Sequence, residues 1–122
     1  MTRTVLIVDD CSITRSYIAI ALIEAGYQTI EAADGLDGLR KLDGRRVDLI
    51  ISDLDMPNMG GLAFVKATRS LLNYSDVPVI IHSSASEETK KAYGHQVDVQ
   101  LWLPKPTLPA DFARCVAELL AR

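Results

Sequence analysis

Short apolar runs recur along this chain, and their patterns predict the strands of one sheet. Residues 5–8 and 49–51 are continuously apolar and rich in branched side chains, which is typical of strands buried on both faces of a parallel sheet. Residues 27–32 and 99–103 alternate polar or aromatic side chains with apolar ones, as edge strands with one exposed face do. Residues 79–82 are mostly apolar and predict a third inner strand.

Helical patterns separate these runs. The first covers residues 13–25 and ends before Gly26, a residue common at helix C-termini. The fourth, residues 86–93, is mostly polar and predicts a loosely held helix with little to bury. The other three are predicted from apolar stripes: Leu36, Leu39 and Leu42; Leu62, Val65, Thr68, Leu71 and Leu72; and Leu108, Phe112, Val116, Leu119 and Leu120, in a helix beginning near Pro109.

Strand and helix alternate along the chain, which predicts right-handed crossovers and a doubly wound α/β fold with helices on both faces of one parallel sheet. The two alternating strands, the second and the fifth, belong at the edges. This gives the flavodoxin-like strand order 2-1-3-4-5. A length of 122 residues with 48% hydrophobic content suits a single domain over residues 1–122.

Charge and cysteine content narrow the class of protein. The net charge is -3 and the basic residues are scattered, so we expect no direct nucleic acid binding. Because the sequence shows neither a secretory signal nor an apolar stretch of membrane-spanning length, we expect a cytoplasmic protein without membrane contact. Cys11 and Cys115 fit no disulfide or zinc pattern, and we expect Cys11 to be a small buried filler.

Polar side chains end four of the predicted strands. Asp9 and Asp10 follow the first strand, Asp53 follows the third, and Ser83 and Lys105 end the next two. The carboxyl ends of parallel strands form one edge, where open α/β sheets bind ligands. Crowded carboxylates repel one another unless a cation compensates, and Mg²⁺ is the usual choice for oxygen ligands. We expect Lys105 to reach back toward a phosphoryl oxygen, and the chemistry to be in-line attack of a carboxylate on phosphorus.

Each of these residues also has a purely structural explanation. Asp9 and Asp10 can cap the first helix, Asp53 can be a turn residue, and Lys105 can be a solvated surface charge. Their joint occurrence at the strand ends argues against coincidence. His82 lies inside an apolar strand and should point away from the side chain that follows it. We therefore expect a hydrogen-bonded core histidine rather than a ligand.

Four segments, in order and over nearly the whole chain, resemble the receiver domain of two-component response regulators, the CheY-like family. VLIVDDCSITR is similar to the family's acidic-pair segment, and DLIISDLDMPNMGGL to its phosphoacceptor segment. PVIIHSSAS resembles the switch-hydroxyl segment, and LPKP the lysine-proline segment. The resemblance implies a signalling domain that undergoes phosphorylation, with Mg²⁺ as cofactor.

The resemblance also implies roles for the aspartates. Asp53 would accept the phosphoryl group, Asp10 would bind Mg²⁺ directly, and Asp9 would act through water. Asp53 and the backbone carbonyl of Asp55 would complete the protein ligands. The Asp55 side chain departs from the commonest family pattern. We expect its carboxylate to hinder an attacking anion and so to alter the lifetime of the phosphoryl group.

The resemblance further implies a switch. Ser83 would hydrogen-bond the phosphoryl group, Lys105 would pair with it, and the Lys105-Pro106 bond would be cis. Trp102 falls where the family carries a rotating aromatic side chain, although it can also simply cover the outer face of the fifth strand. A sensor histidine kinase would be the donor. A downstream protein would bind the face made by the fourth helix, fifth strand and fifth helix, so that output is binding, with only self-catalysed uptake and loss of the phosphoryl group.

Two other classes stay open at this stage. Residues 53–55 also resemble the nucleophile and acid-base pair of haloacid-dehalogenase-like phosphatases. In that family the pair follows the first strand and a cap or further acidic motif completes the site, whereas here it follows the third strand of a short chain. The other class is a receiver-like scaffold that binds partners without phosphorylation.

Overall fold

The computed structural model describes residues 2–122 and contains one five-stranded parallel sheet. The strands are β1 (Thr4–Val8), β2 (Gln28–Ala32), β3 (Leu49–Ser52), β4 (Val79–Ser83) and β5 (Leu101–Pro104). Their order is β2-β1-β3-β4-β5 and every pairing is parallel. The predicted fold class, strand order and edge strands are therefore confirmed.

Helices cover both faces of the sheet. They are α1 (Ser12–Glu24), α2 (Gly35–Lys41), α3 (Gly61–Arg69), α4 (Glu87–Gly94) and α5 (Pro109–Leu120), and a 3₁₀ turn covers Leu72–Tyr74. Helices α1 and α5 pack together on one face, and α2 and α3 pack together on the other. Within residues 2–122, no helix is both long and apolar enough to cross a membrane.

The core lies on both faces of the three inner strands, all of whose residues are buried. Because successive strand residues point to opposite faces, Val5 and Ile7 pack toward α1 and α5, whereas Leu6 and Val8 pack toward α2 and α3. Phe112 is fully buried in the first of these clusters, and burial of such a side chain stabilises the fold by roughly 2–3 kcal/mol. This two-sided burial explains the continuous apolar runs in the sequence.

Three leucines assigned to inward-facing stripes are exposed, so these assignments were wrong. Leu36 is 45% exposed on the first turn of α2, while Leu72 is 91% exposed because α3 ends at Arg69 and the chain has already turned. Leu108 is 68% exposed at the N-cap position, outside α5. All three lie at or just outside helix ends, where the helical repeat no longer determines which way a side chain points. Phe64 is the large buried side chain of α3.

Two further predictions concern α4 and the cysteines. No residue of α4 is buried, as its polar sequence indicates. The expectation for Cys11 is wrong, because this residue is exposed at the N-cap of α1. Cys115 is instead the buried cysteine, on the inner face of α5. An N-cap lies half outside the helix, which explains why Cys11 reaches solvent.

His82 is a core residue, but it is not hydrogen-bonded. The residue is 3% exposed, and its ring lies edge-on to Phe112, with 4.9 Å between ring centroids. Neither ring nitrogen has a hydrogen-bond partner among the described residues, so that part of the prediction is wrong. Burial, with a smaller repulsion from Lys105, lowers the pKa of His82 from 6.5 to about 4. The side chain is therefore neutral at pH 7.

We predict that His82→Leu increases stability at pH 7 by about 1–3 kcal/mol, because it removes a buried polar group without partners. The gain should widen in acid. As pH falls, the unfolded imidazole takes up a proton near 6.5, but the folded one only near 4, so the wild type loses stability across this window. The full effect is on the order of 3 kcal/mol. Urea unfolding at pH 7.5, 6 and 5 measures it, and a difference independent of pH would contradict this explanation.

Candidate functional site

Three aspartates meet at the carboxyl edge of the sheet. Strands β1 and β3 are neighbours with Val8 opposite Ser52, so the residues that follow them emerge side by side. One carboxylate oxygen from each of Asp9, Asp10 and Asp53 lies within 4.8 Å of the others. Asp9 and Asp53 are buried, whereas Asp10 is exposed. The structure thus brings together the three carboxylates expected from the strand ends.

Backbone groups orient the two buried carboxylates. Asp9 Oδ1 accepts a hydrogen bond from the Cys11 N–H at 2.8 Å, and Asp53 Oδ1 accepts one from the Leu54 N–H at 2.7 Å. In each case Oδ2 is left facing Lys105. The two side chains are therefore held in one orientation before any ligand arrives.

Lys105 links the outer strand to this cluster. Its Nζ lies 3.2 Å from Asp53 Oδ2 and 3.4 Å from Asp9 Oδ2. The Lys105 N–H donates to the Ser83 carbonyl at 3.1 Å, which continues the pairing of β4 and β5. The Lys105-Pro106 peptide bond is cis, as the resemblance implies. The long lysine side chain thus spans the width of β4 to reach β3 and β1.

The charges of Asp53 and Lys105 influence each other. Burial raises the pKa of Asp53, and this outweighs the opposing attraction of Lys105. Burial alone would lower the pKa of Lys105, but Asp53 and Asp9 together raise it. Lys105 is therefore charged at pH 7. Ionisation of Asp53, in contrast, is less favourable than ionisation of an exposed aspartate.

The donor set fits a hard divalent cation. Three carboxylates supply oxygen ligands, as Mg²⁺ prefers, and the exposure of Asp10 leaves room for the water molecules that this ion retains. One lysine compensates only part of the negative charge. The Asp55 side chain is exposed in the loop after Asp53 and does not belong to the three-carboxylate cluster.

Ser83 and Trp102 lie close to each other on the neighbouring strands β4 and β5. Ser83 is buried, and its Oγ accepts a hydrogen bond from the Ala85 N–H at 3.0 Å. Trp102 is half-buried, and both residues line a cavity of about 80 Å³ that is also lined by Lys90 of α4. The space beside the hydroxyl is therefore bounded by an aromatic side chain and by a helix without buried residues.

Sequence reasoning missed Arg15 as a support of the site. Its Nη1 donates to the Asp9 carbonyl at 2.7 Å, while its Nε pairs with Glu31 of β2 at 3.0 Å. Arg15 thus ties the residue after β1 to the neighbouring strand. No local pattern marks this role, since it depends on the packing of α1 against β2.

A groove of about 440 Å³ beside Lys105 was also missed. It lies between the start of α1, including Ile13 and Tyr17, and the segment after β5. The Tyr17 hydroxyl donates to the Thr107 carbonyl at 3.2 Å and connects the two sides. Ile13 is 81% exposed. An apolar residue at the start of the first helix is the sequence signal that could have indicated this groove.

The fold and this site define the class of the protein. The chain belongs to the response regulator receiver domain family, which matches residues 5–117. It is therefore a receiver domain, a class of signalling domain. This membership argues against the haloacid-dehalogenase-like interpretation of residues 53–55.

Individual relatives agree with this assignment. The crystal structure of the chemotaxis protein CheY4 of Vibrio cholerae is 36% identical, with a TM-score of 0.91 and coverage of 97% of this chain and 98% of that one. The transcriptional regulatory protein PrrA of Mycobacterium tuberculosis is 33% identical over 97% of this chain and 50% of its own length. The sensor kinase/phosphatase CqsS of Vibrio cholerae is 38% identical over 64% of this chain and 12% of its own. The chain thus spans about half of PrrA and a small part of CqsS.

We predict that Asp53→Asn increases stability at pH 7 by about 1 kcal/mol in buffer with a metal chelator, because it removes one crowded, buried charge while Lys105 stays paired with Asp9. A raised pKa means that the folded state disfavours the carboxylate. The gain should therefore be small in acid, where Asp53 is protonated in both states, and should grow as pH rises through its pKa. Urea unfolding at several pH values measures this. Asp55→Asn is the matched control, since that carboxylate is exposed, and an equal gain there would contradict the explanation.

Proposed function

We propose that Asp53 is the phosphoacceptor of this receiver domain and that a sensor histidine kinase is the donor. The observation that carries the proposal is the Asp53 carboxylate, which is held by the Leu54 N–H on one oxygen and by Lys105 on the other. A carboxylate oxygen attacks phosphorus in line, and an O–P bond forms as the bond to the histidine nitrogen of the donor breaks. The departing imidazole keeps the electron pair and takes a proton from water.

Other residues at the edge have supporting roles in this proposal. Lys105 Nζ is close enough to Asp53 Oδ2 to stabilise the negative charge of the transferring oxygens. Asp10 would bind Mg²⁺ directly and Asp9 through water, with Asp53 and the Asp55 backbone carbonyl as the remaining protein ligands. When bound, the ion supplies charge neutralisation for the phosphoryl oxygens. The three clustered carboxylates support this assignment.

Ser83 and Trp102 form the proposed switch. The Ser83 Oγ accepts from the Ala85 N–H, so its own proton is available to a phosphoryl oxygen on Asp53. A shift of Ser83 toward that group would change the cavity that it shares with Trp102, and the indole could then reorient. Because no residue of α4 is buried and Tyr93 is its one partly buried hydrophobic residue packed against the core, movement of this helix disrupts little packing. The altered face, formed by α4, β5 and α5, would bind the downstream protein.

The biological setting follows from the same proposal. We place the receiver in the cytoplasm, where kinase domains have access to ATP, and we treat residues 1–122 as one receiver domain. The net charge of -3 provides no general attraction to nucleic acid or to acidic membranes, so output runs through protein contacts. Catalysis is limited to the uptake and loss of its own phosphoryl group.

We predict that incubation with acetyl phosphate and Mg²⁺ adds one phosphoryl group, visible by intact mass as an acid-stable and base-labile adduct. Asp53→Asn and chelation of Mg²⁺ should each abolish the adduct. Asp55→Asn is the matched control and should retain it, because the nucleophile is unchanged. Failure of the wild type to form an adduct, or persistence in Asp53→Asn, would overturn the assignment and favour a scaffold that acts without phosphorylation.

We also predict that Asp55→Asn shortens the half-life of the phosphoryl group by about two- to fivefold, because removal of a nearby negative charge eases the approach of a nucleophile. Loss of the adduct is followed by intact mass after removal of acetyl phosphate. Asp76→Asn, which changes an exposed aspartate in another loop, should leave the half-life unchanged. An unchanged half-life in Asp55→Asn would show that its charge has no such role.

A further inference from the structure

The loop between β3 and α3 carries both Asp53 and Asp55, and its two ends are joined. The Gly61 N–H donates to the Leu54 carbonyl at 2.7 Å. A Cβ at Gly61 would overlap the carbonyl oxygen of Asp53, so this close approach requires glycine. The base of the loop is therefore fixed against the end of β3.

The tip of the same loop is bound to the start of α2. Asn58 has a φ of 66°, in the left-handed region, and its Nδ2 donates to Asp34 Oδ2 at 2.7 Å. Next to it, the Met59 carbonyl accepts from the Gly35 N–H at 3.0 Å. A Cβ at Gly35 would lie 2.6 Å from the Met59 oxygen, so glycine is required here too. Asp55 thus lies between two attachment points.

Asp34 is itself held firmly. Its Oδ1 accepts the Asp37 N–H at 2.8 Å, which caps α2, and Asp37 Oδ2 accepts the N–H of Ala33, the residue before the cap, at 3.0 Å. The Asp37 backbone bond and the Asn58 side chain lower the pKa of Asp34. The loop tip is therefore attached to a charged acceptor whose position α2 determines.

We propose that the hydrogen bond between Asn58 and Asp34 positions the backbone carbonyl of Asp55 for Mg²⁺, which makes both side chains positioning residues for metal binding. The inference rests on the proposed function. Mg²⁺ demands near-ideal octahedral geometry, so a carbonyl on a loop held at its tip by the Gly35–Met59 bond alone would bind it less well than one oriented by both bonds. The bond is exposed, and exposed polar bonds add little to folding stability. The main effect of the Asn58–Asp34 bond is therefore to orient the loop that carries Asp55.

The first test is Asn58→Gly. Glycine adopts a positive φ without strain, so this change removes the side-chain bond and leaves the backbone conformation accessible. Calorimetric titration of the full chain with Mg²⁺ alone should show a dissociation constant weakened by about two- to fivefold, the upper limit for an exposed bond worth up to about 1 kcal/mol. Gln96→Ala is the matched control, since it removes another exposed side-chain bond, from Lys66 Nζ at 3.2 Å. That variant should bind Mg²⁺ like the wild type.

The second test exchanges donor and acceptor. Asn58→Asp alone places two carboxylates in contact and should break the bond, although aspartate tolerates a positive φ. Combining it with Asp34→Asn restores a donor opposite an acceptor, retains a good helix cap and leaves the net charge unchanged. The double variant should recover the Mg²⁺ affinity to within about twofold of wild type.

The outcomes separate this inference from the proposed function. If Asn58→Gly lowers only the melting temperature and leaves Mg²⁺ affinity intact, the bond is structural and the inference fails. Failure of the double variant to recover affinity would also overturn it. A wild-type chain that bound no Mg²⁺ would refute the proposed function together with the inference. Wild-type binding that is lost in Asp10→Asn but unaffected by Asn58→Gly would refute the inference alone.

Discussion

The attraction between one ammonium group and two buried carboxylates holds the functional edge of the sheet together. Without Lys105, Asp9 and Asp53 would place two negative charges side by side where little water reaches them. Because Lys105 directly follows β5, the ion pairs connect an edge strand to β1 and β3, two of the three inner strands. The compensation is incomplete, however, since Asp10 adds a third carboxylate. This remaining negative charge makes the edge receptive to a cation, and a cation in turn makes it receptive to a phosphoryl group.

Hydrogen bonds from surrounding groups also fix the orientation of these charged side chains. N–H groups fix one oxygen of each buried aspartate, and Arg15 fixes the carbonyl of Asp9. The loop after Asp53 is joined at its base through Gly61 and at its tip through Asn58. The carboxylates and the loop after Asp53 are therefore oriented by groups outside the three-carboxylate cluster, which is the usual basis of preorganised sites.

Much of the fold could be predicted because its determinants are local. The pattern of apolar residues in each strand predicts whether one or both of its faces are buried. Because ligands bind at the carboxyl edge of a parallel sheet, Asp9, Asp53 and Lys105 can be predicted to lie together even when no contact is known. The misassigned positions depend on chain ends and on distant partners. Leu72 is exposed because α3 stops early. His82 lies against the apolar ring of Phe112 in α5, and neither of its ring nitrogens has a hydrogen-bond partner. No pattern within a single segment contains that information.

The lack of buried side chains in α4 has a thermodynamic consequence. A helix that loses little packing when it moves is governed by whichever ligand discriminates between its positions, and such discrimination is reciprocal. If phosphorylation favours the arrangement that a target protein binds, then the target favours the phosphorylated arrangement to the same extent. The bound target protein would therefore help to determine how strongly the domain favours its phosphorylated state.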